Sequence, residues 1–478
     1  MGDMEIEKCL SNRPKGPKGV RMIFDDMEFG SYDKAERKAY KAFELYEDGK
    51  LAQALNALDM AIEINPSNSS LHFNKALTLD SISRFDDAIS AYETALQLSP
   101  DDLEILNSLA VDYTRTGQYD LAIETFEHIQ ELDPGFEPCY CNRIITYTEM
   151  GLHDIAEQMF YLAQQIKPNC PLCFYNIGNS LYTRGQYAKA IRCWLRTAEL
   201  EPSHPQINYR IAQAYWSAGQ TDRSKEHFLA ELRCNPGDVE VILDFGLFLL
   251  ENGDIESAKE KFNRILELNP DYAIASFYLG EIAFNNRDYK RAVELFNNAI
   301  RKDRTLAGPY YRLAQYELMA GKKQKARAYL VSELKLASED VDTLVSMGSM
   351  FTAIGDLDYA AHCLLRAVDS DGSNADAYYY LGVVSALQGS FDDASEFFSH
   401  ALDIQSNHFP ALRDSAFVYL STGKLTAAAE RIKEAIALDG GDSQLRKLNR
   451  QIIEAVLKRR IKDFVGRFKF GRFAKKSS

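Results

Sequence analysis

Two closely spaced pairs of cysteines are the residues of this chain whose types and spacing could do chemistry. Cys139 and Cys141 form a C-x-C pair, and Cys170 and Cys173 form a C-x-x-C pair further along. Four thiolates at such spacings could hold zinc in a tetrahedral site or take part in redox chemistry. Whether they can meet depends on the elements that carry them.

The rest of the chain offers no recognisable catalytic site. The sequence has no G-x-G-x-x-G, no Walker A motif and no H-E-x-x-H. Thr422-Gly423-Lys424-Leu425 lacks both the upstream glycine and the hydroxyl residue after the lysine. The eight histidines are scattered and form no evident site. We therefore predict a non-enzymatic protein without a metal or a cofactor.

A strict period reveals the elements that position these residues. Proline recurs every 34 residues, at Pro66, Pro100, Pro134, Pro168, Pro202, Pro236 and Pro270. The same register continues through Arg304, Ser338, Gly372, Ser406 and Gly440. A fixed period of this length indicates a repeat architecture.

Each period reads as two helices. A small residue stands 24 positions before the proline, an alanine 12 before it and a large apolar residue 8 before it, as at Gly178, Ala190 and Trp194. The small residues predict close approach of the two helices, and the large one should fill space against the neighbouring repeat. A glycine between the helices predicts a left-handed turn. The proline ends the second helix, and Asp102 and Asp238 should cap the next first helices.

This pattern resembles the tetratricopeptide repeat. A clear example is Phe174-Tyr175-Asn176-Ile177-Gly178, followed by Gly185-Gln186-Tyr187, Ala190, Trp194 and Pro202. The resemblance implies an all-α fold, a right-handed superhelical α-α solenoid of helix pairs. It covers twelve tandem units: 35–68, 69–102, 103–136, 137–170, 171–204, 205–238, 239–272, 273–306, 307–340, 341–374, 375–408 and 409–442. Glu231 and Glu333 depart from it, because each replaces a small residue and predicts looser packing.

The cysteine pairs can now be placed on these helices. Cys139 and Cys141 fall at the start of one first helix, and Cys170 and Cys173 fall at the start of the next. Neighbouring helices pack about 8–10 Å apart, whereas a zinc–sulfur bond is about 2.3 Å long. We therefore expect buried or half-buried thiols, reduced in a cytoplasmic protein, with a metal or redox site as the alternative.

The two ends differ from the repeats. Residues 1–34 contain Pro14-Lys15-Gly16-Pro17-Lys18-Gly19 and predict a flexible arm. Residues 443–462 place apolar side chains at helical spacing and predict a capping helix, which the end of a solenoid requires. Residues 463–478 form a basic, aromatic tail.

Charge divides unevenly along the chain. The net charge is −14, yet the segment from Arg446 onward has twelve Lys and Arg against Glu454 and Asp463. The remaining repeats are therefore strongly acidic, which makes nucleic acid an unlikely ligand. The chain has no run of 18 or more apolar residues, so its sequence predicts no membrane-spanning helix. We expect a cytoplasmic protein, with the membrane periphery as an alternative location.

The resemblance implies a partner-binding groove lined by the first helices, with aromatic rings beside carboxamides and two arginines. Such a surface suits an extended or helical peptide. Some of these rings could instead pack between neighbouring helices. The implied partner-binding residues are Tyr175, Asn179, Tyr182, Tyr209, Arg210, Gln213, Trp216, Phe277, Phe284, Tyr311, Arg312 and Gln315.

Our functional interpretation is a scaffold for protein–protein interaction that binds a peptide or helical segment in this groove. One alternative is a membrane-peripheral adaptor in assembly or transport, and another is a self-assembling scaffold. The tail could bind an anionic membrane surface, fold back on the acidic groove or remain solvated. The tail residues in question are Arg467, Phe468, Lys469, Phe470, Arg472 and Phe473.

Overall fold

The structure is a computed structural model that describes residues 34–336, 340–439 and 441–473, with side chains up to residue 460. Apart from Lys34, the predicted N-terminal arm lies outside the described residues. Within them the chain forms 25 α-helices and no strand, which confirms the predicted all-α class.

The helices are numbered here in chain order. Their bounds are α1 Lys34–Glu47, α2 Leu51–Ile64, α3 Ser69–Asp80, α4 Phe85–Leu98, α5 Leu103–Arg115, α6 Tyr119–Leu132, α7 Glu137–Glu149, α8 His153–Ile166, α9 Pro171–Thr183, α10 Tyr187–Leu200, α11 Ile207–Ser217, α12 Thr221–Cys234, α13 Val239–Glu251, α14 Ile255–Leu268, α15 Ala273–Asn285, α16 Tyr289–Lys302, α17 Pro309–Met319, α18 Lys323–Leu334, α19 Val341–Ile354, α20 Leu357–Ser370, α21 Ala375–Gln388, α22 Phe391–Ile404, α23 Phe409–Ser421, α24 Leu425–Leu438 and α25 Ser443–Phe473.

The helices pack in consecutive pairs within two compact units, Met1–Lys261 and Phe262–Ser478. In the first unit the pairs run from α1/α2 to α11/α12, and in the second from α15/α16 to α23/α24. Short turns join the members of each pair, so the two helices are antiparallel. Within each unit, the second helix of one pair also packs on the first helix of the next. Neighbouring pairs are therefore in contact along each unit.

The predicted small residues let a ring of their own repeat come close. A Cβ atom added to Gly280 would lie 2.6 Å from the ring of Phe296, and one added to Gly178 would collide with Trp194. Both rings are almost completely buried. We expected the large residue to fill space against the neighbouring repeat; it also covers the small residue of its own repeat. This contact explains why Gly178 and Gly280 stand opposite Trp194 and Phe296.

The left-handed turn between paired helices is confirmed. Glycine has a positive φ at residues 49, 117, 151, 185, 219, 253, 321, 355, 389 and 423. At the two remaining points of this register Ser83 and Arg287 adopt the same conformation, with φ of 60° and 62°. The turn therefore keeps its geometry even where a side chain makes it costly.

The predicted aspartate caps are present. The Asp102 carboxylate accepts the backbone N–H groups of Glu104 and Ile105 at 3.0 and 3.2 Å. Asp238 does the same for Glu240 and Val241 at 3.1 and 3.2 Å. Each carboxylate satisfies amides that have no partner within the first turn of the helix.

Glu231 and Glu333 are also caps, which the prediction of looser packing missed. Glu333 accepts the backbone N–H of Gly308 at 2.6 Å and that of Tyr311 at 3.0 Å. Glu231 accepts the N–H of Tyr209 at 3.3 Å. Both glutamates lie in the second helix of the repeat and are buried. They cap the starts of α11 and α17, which begin two residues later in the repeat than their counterparts.

The C-terminal helix α25 is longer than predicted. Leu445, Leu448 and Ile452 are buried against α24, as a capping helix requires. The helix continues through residue 462 to Phe473, so the predicted tail begins within it. Over the described residues, no helix combines the length and the apolar character needed to span a bilayer.

Candidate partner-binding site

The predicted tyrosines of α9 are half-buried and held by neighbouring side chains. The ring of Tyr175 lies 4.4 Å from the imidazole of His204. The hydroxyl of Tyr182 is 3.1 Å from the Ser217 hydroxyl, and its ring is 5.6 Å from that of Trp194. These contacts fix both rings before any partner arrives, which reduces the entropy cost of binding.

Tyr209 is a core residue at its ring and a hydrogen-bond donor at its tip. The side chain is 3% exposed, with its ring 6.2 Å from that of Phe228. Its hydroxyl donates to Asp244 Oδ2 at 2.7 Å, and Gln213 Nε2 donates to the same oxygen at 3.0 Å. Burial, together with the Asp244 carboxylate, raises the pKa of Tyr209 well above its ordinary value.

Trp216 makes the equivalent contact one helical turn beyond Gln213. Its indole Nε1 donates to Glu251 Oε2 at 2.6 Å, and its ring meets Phe248 edge-on at 5.8 Å. Tyr182 and Ser217, like Trp216 and Glu251, are 35 residues apart. Sequence reasoning missed Asp244 and Glu251. The signal was available as a polar residue 35 positions after each ring.

Arg210 lies on the same face with few partners of its own. Its Nη1 is 3.4 Å from Gln213 Oε1. The Nε atom is shielded from solvent and has no hydrogen-bond partner. In the described part of the chain, no carboxylate lies within ion-pair distance of this guanidinium. A buried N–H without an acceptor is costly, and the positive charge of Arg210 is not neutralised by a carboxylate in the described part of the chain.

Arg312, on α17 of the second unit, is fully engaged within the chain. Its Nε and Nη2 donate to the two carboxylate oxygens of Glu281 at 2.7 and 2.6 Å. Its Nη1 donates to Gln315 at 3.0 Å. The guanidinium carbon lies 5.5 Å from the Phe284 ring and 5.6 Å from the Tyr311 ring. Bidentate pairing and ring stacking hold this arginine in place.

Phe277 completes the predicted set in the second unit. Its half-buried ring is 6.0 Å from that of Phe296. A Cβ atom at Gly308 would lie 2.8 Å from this ring, so the glycine lets the start of α17 approach it. Phe277 therefore packs between successive repeats of its own unit, as the alternative interpretation of these rings allowed.

One substitution explains why the two arginines differ. Arg210 and Arg312 stand at the same position of repeats that are three periods apart. Glu281, the partner of Arg312, corresponds by the same spacing to Asn179. A neutral amide thus occupies the position from which a carboxylate would neutralise Arg210.

A third arginine is shared between two carboxylates. Arg115 contacts Asp80 and donates to Asp112 Oδ1 at 3.1 Å. Burial, together with the negative charge of Asp80, raises the pKa of Asp112 to about 7. Asp112 Oδ2 has no hydrogen-bond partner. One guanidinium therefore does not compensate both acids.

The cysteine pairs meet, contrary to the expectation of separate reduced thiols. Cys141 and Cys173 form a disulfide with a Cα–Cα distance of 5.1 Å. The Sγ atom of Cys170 lies 3.6 Å from that of Cys141. Cys139 is a buried free thiol outside this cluster. The distance between helix axes was the wrong measure, because side chains at the starts of α7 and α9 project toward each other.

The predicted tail residues lie on the last turns of α25 by their backbone. Their side chains fall outside the described residues, so membrane binding through Arg467 to Phe473 stays a prediction.

Consecutive helix pairs with polar and aromatic side chains along their first helices define a helical-repeat scaffold. Two family models, both described as Tetratricopeptide repeat, match the chain. One matches residues 41–102, 175–239, 243–307 and 351–408, more than half of the chain, and the other matches residues 83–139. The chain belongs to the tetratricopeptide repeat family. The count of twelve repeats stays a prediction.

Members of this family are in general scaffolds for protein–protein interaction rather than enzymes. Similar solved structures include the APC/C hetero-tetramer Cut9-Hcn1, at 13% identity over 88% of this chain and 96% of that chain, with a TM-score of 0.41. Yeast Tom70 is 14% identical over 90% of this chain and 96% of that chain, with a TM-score of 0.37. YrrB, described as a TPR protein with an unusual peptide-binding site, is 26% identical over 39% of this chain and 95% of that chain, with a TM-score of 0.33. No curated protein matches the sequence.

Proposed function

We propose that this protein binds an extended or helical segment of a partner protein on the first-helix face formed by α9 and α11. The observation that carries the proposal is that the Arg210 guanidinium has no ion-pair partner in the described part of the chain. Its guanidinium lacks a carboxylate and has a shielded Nε without an acceptor. A carboxylate or carbonyl oxygen of the partner would bind the terminal Nη groups of this guanidinium and neutralise its charge, since the shielded Nε is out of reach of a partner.

The surroundings of Arg210 suit such a segment. Tyr175, Tyr182 and Trp216 are half-buried rings fixed by the contacts described above. Rigid aromatic side chains supply apolar area at a low entropy cost. Asn179 and Gln213 can hydrogen-bond a partner's backbone. The second predicted set, Phe277, Phe284, Tyr311, Arg312 and Gln315, would form a separate contact surface in which the arginine is already paired.

The test is to neutralise Arg210 without touching the core. Asn179→Glu places a carboxylate where Arg312 has Glu281, so it should pair with Arg210 and repel an acidic partner. Ser349→Glu is the matched control, because it adds the same charge at the same repeat position, with Tyr380 instead of an arginine in the next first helix. Alanine at Tyr209 is unsuitable, since that ring is buried.

Affinity capture with the wild type identifies partners, and direct titration of each purified partner measures the change. Losing one charge-assisted hydrogen bond should weaken binding about 10- to 100-fold for Asn179→Glu, whereas Ser349→Glu should leave it unchanged. Equal affinity for all three proteins would refute the proposed site. A chain truncated after Lys462 is measured in parallel, and loss of partners from that variant alone would assign binding to the tail.

A further inference from the structure

Three cysteines and one glutamate of the first unit converge between α7 and α9. The four ligand atoms of Glu137, Cys141, Cys170 and Cys173 all lie within 4.8 Å of one another. The three cysteines are buried, at 0–3% exposure, and the Glu137 side chain is 13% exposed. No residue of this group belongs to the partner-binding site described above.

The local helix geometry explains the convergence. Glu137 and Cys141 are four residues apart on α7, so their side chains share one face of that helix. Cys170 is the N-cap of α9, and its sulfur lies 3.4 Å from the backbone N of Cys173. Asn176 donates to the Cys141 carbonyl at 2.9 Å, which fixes α9 against α7. The ligand set is therefore held by two helix starts rather than by mobile loops.

The disulfide leaves the Glu137 carboxylate with one thiol donor among the three neighbouring sulfurs. Glu137 Oε1 lies 2.9 Å from Cys141 Sγ and 3.3 Å from Cys173 Sγ. Sulfur atoms in a disulfide carry no proton, so among these three sulfurs only the free Cys170 thiol can donate to the Glu137 carboxylate. Lys167 is 3.8 Å from the other oxygen of Glu137. A negative oxygen facing sulfur atoms is the environment that a bound cation would stabilise.

We propose that Glu137, Cys141, Cys170 and Cys173 bind one Zn²⁺ ion when the Cys141–Cys173 disulfide is reduced. A tetrahedral site with zinc–sulfur bonds of about 2.3 Å places its sulfurs about 3.8 Å apart, and the Cys141 and Cys170 sulfurs are already 3.6 Å apart. Thiolates select zinc over magnesium and calcium, and zinc accepts a carboxylate as its fourth ligand. Of the three sulfurs, those of Cys170 and Cys173 lie at the positive N-terminal end of α9.

Reduction must come before binding. A phosphine reductant gives two electrons to the disulfide, water supplies two protons and the oxygen of the phosphine oxide, and two thiols result. Zinc then displaces the thiol protons. The filled site would link two consecutive repeats, 137–170 and 171–204, through their first helices.

The experiment uses the full chain, reduced with a phosphine under argon, loaded with Zn²⁺ and freed of excess metal by gel filtration. Mass spectrometry of the eluted protein should find about one zinc per chain. Cobalt(II) serves as a spectroscopic probe, because thiolate ligation produces a sulfur-to-cobalt charge-transfer band. Protein kept oxidised should bind neither metal at this site.

Cys170→Ser separates the metal site from the disulfide, because it removes one ligand and leaves Cys141 and Cys173 intact. It should lose the zinc and the charge-transfer band, and Glu137→Gln should weaken both. Cys139→Ser is the matched control, since that sulfur faces the Phe126 carbonyl at 3.2 Å and should not be a ligand. Circular dichroism confirms that each variant is folded.

Two results would overturn the proposal. One is reduced wild-type protein that elutes without zinc, which would make the cluster a disulfide site only. The other is Cys170→Ser that retains zinc as well as the wild type does.

Discussion

The first helices α11 and α17 share the pattern Tyr-Arg-x-Ala-Gln, at residues 209–213 and 311–315. Tyr209-Arg210 and Tyr311-Arg312 are each followed by a glutamine, and each helix begins late beneath a buried glutamate from its partner helix. Yet Arg312 makes a bidentate ion pair with Glu281, while Arg210 leaves its Nε without a partner. The difference comes from the preceding repeat, which supplies Glu281 to Arg312 but the neutral Asn179 to Arg210. The same local structure therefore holds a paired arginine in one repeat and an unpaired arginine in another.

The largest expected effect is a difference in local helix stability between the alanine variants of Arg312 and Arg210. Arg312→Ala leaves Glu281 half-buried without its partner and should cost about 2 kcal/mol in the opening of α17. Arg210→Ala removes a shielded, unpaired N–H and should change the opening of α11 by less than about 0.5 kcal/mol. Native-state hydrogen exchange of the two helices measures both values. Equal losses would show that Arg210 has a structural role after all.

The second comparison is between the buried glutamates that cap the two helices, Glu333 at α17 and Glu231 at α11. Glu333 accepts N–H groups of both Gly308 and Tyr311, and its bond to Gly308 is only 2.6 Å long. Glu333→Ala should therefore destabilise α17 by about 1–2 kcal/mol, because two amides lose their acceptor. Glu231→Ala should cost less, since its bond to Tyr209 is 3.3 Å long. The reverse order in hydrogen exchange would contradict the capping role.

Asn179→Glu should give Arg210 the kind of ion pair that Arg312 makes with Glu281. The new carboxylate should pair with Arg210 and stabilise α11 by about 0.5–1 kcal/mol, as expected for a partly exposed ion pair. The gain should vanish in the background of Arg210→Ala, which a double-mutant cycle measures. A gain that survives there would mean that the glutamate acts elsewhere.

Arg115, which two carboxylates share, gives a prediction about pH. Burial, together with Asp80, raises the pKa of Asp112 to about 7, so the folded protein holds a proton that the unfolded chain releases near pH 4. The resulting stability is complete at low pH and is lost as pH rises through 7. Asp112→Asn should therefore raise the melting midpoint at pH 8 by more than at pH 6.

The expected size of this effect is about 1 kcal/mol between the two pH values. Glu281, which has Arg312 to itself, provides the contrast: Glu281→Gln should not stabilise the protein at either pH. An Asp112→Asn variant with an unchanged pH dependence would show that Asp112 is charged in the folded state.

The sequence by itself determined the helix pairs. Proline cannot continue the second helix, small residues allow close packing, and the turn between helices needs a left-handed residue, so a 34-residue period specifies each of these features. The same local logic predicted the caps at Asp102 and Asp238. The position of a residue within the repeat also predicted the candidate site, because the family pattern says which positions of the first helix line the groove.

The tertiary structure decided what those side chains meet. Tyr209 lies in the core beside the ring of Phe228, which is the alternative that its register position left open. Glu231 and Glu333 are caps only because α11 and α17 begin late. Cys141 reaches Cys173 because two helix starts converge. Each outcome depends on contacts between residues far apart in the chain, and a period specifies the position of a residue but not its partner.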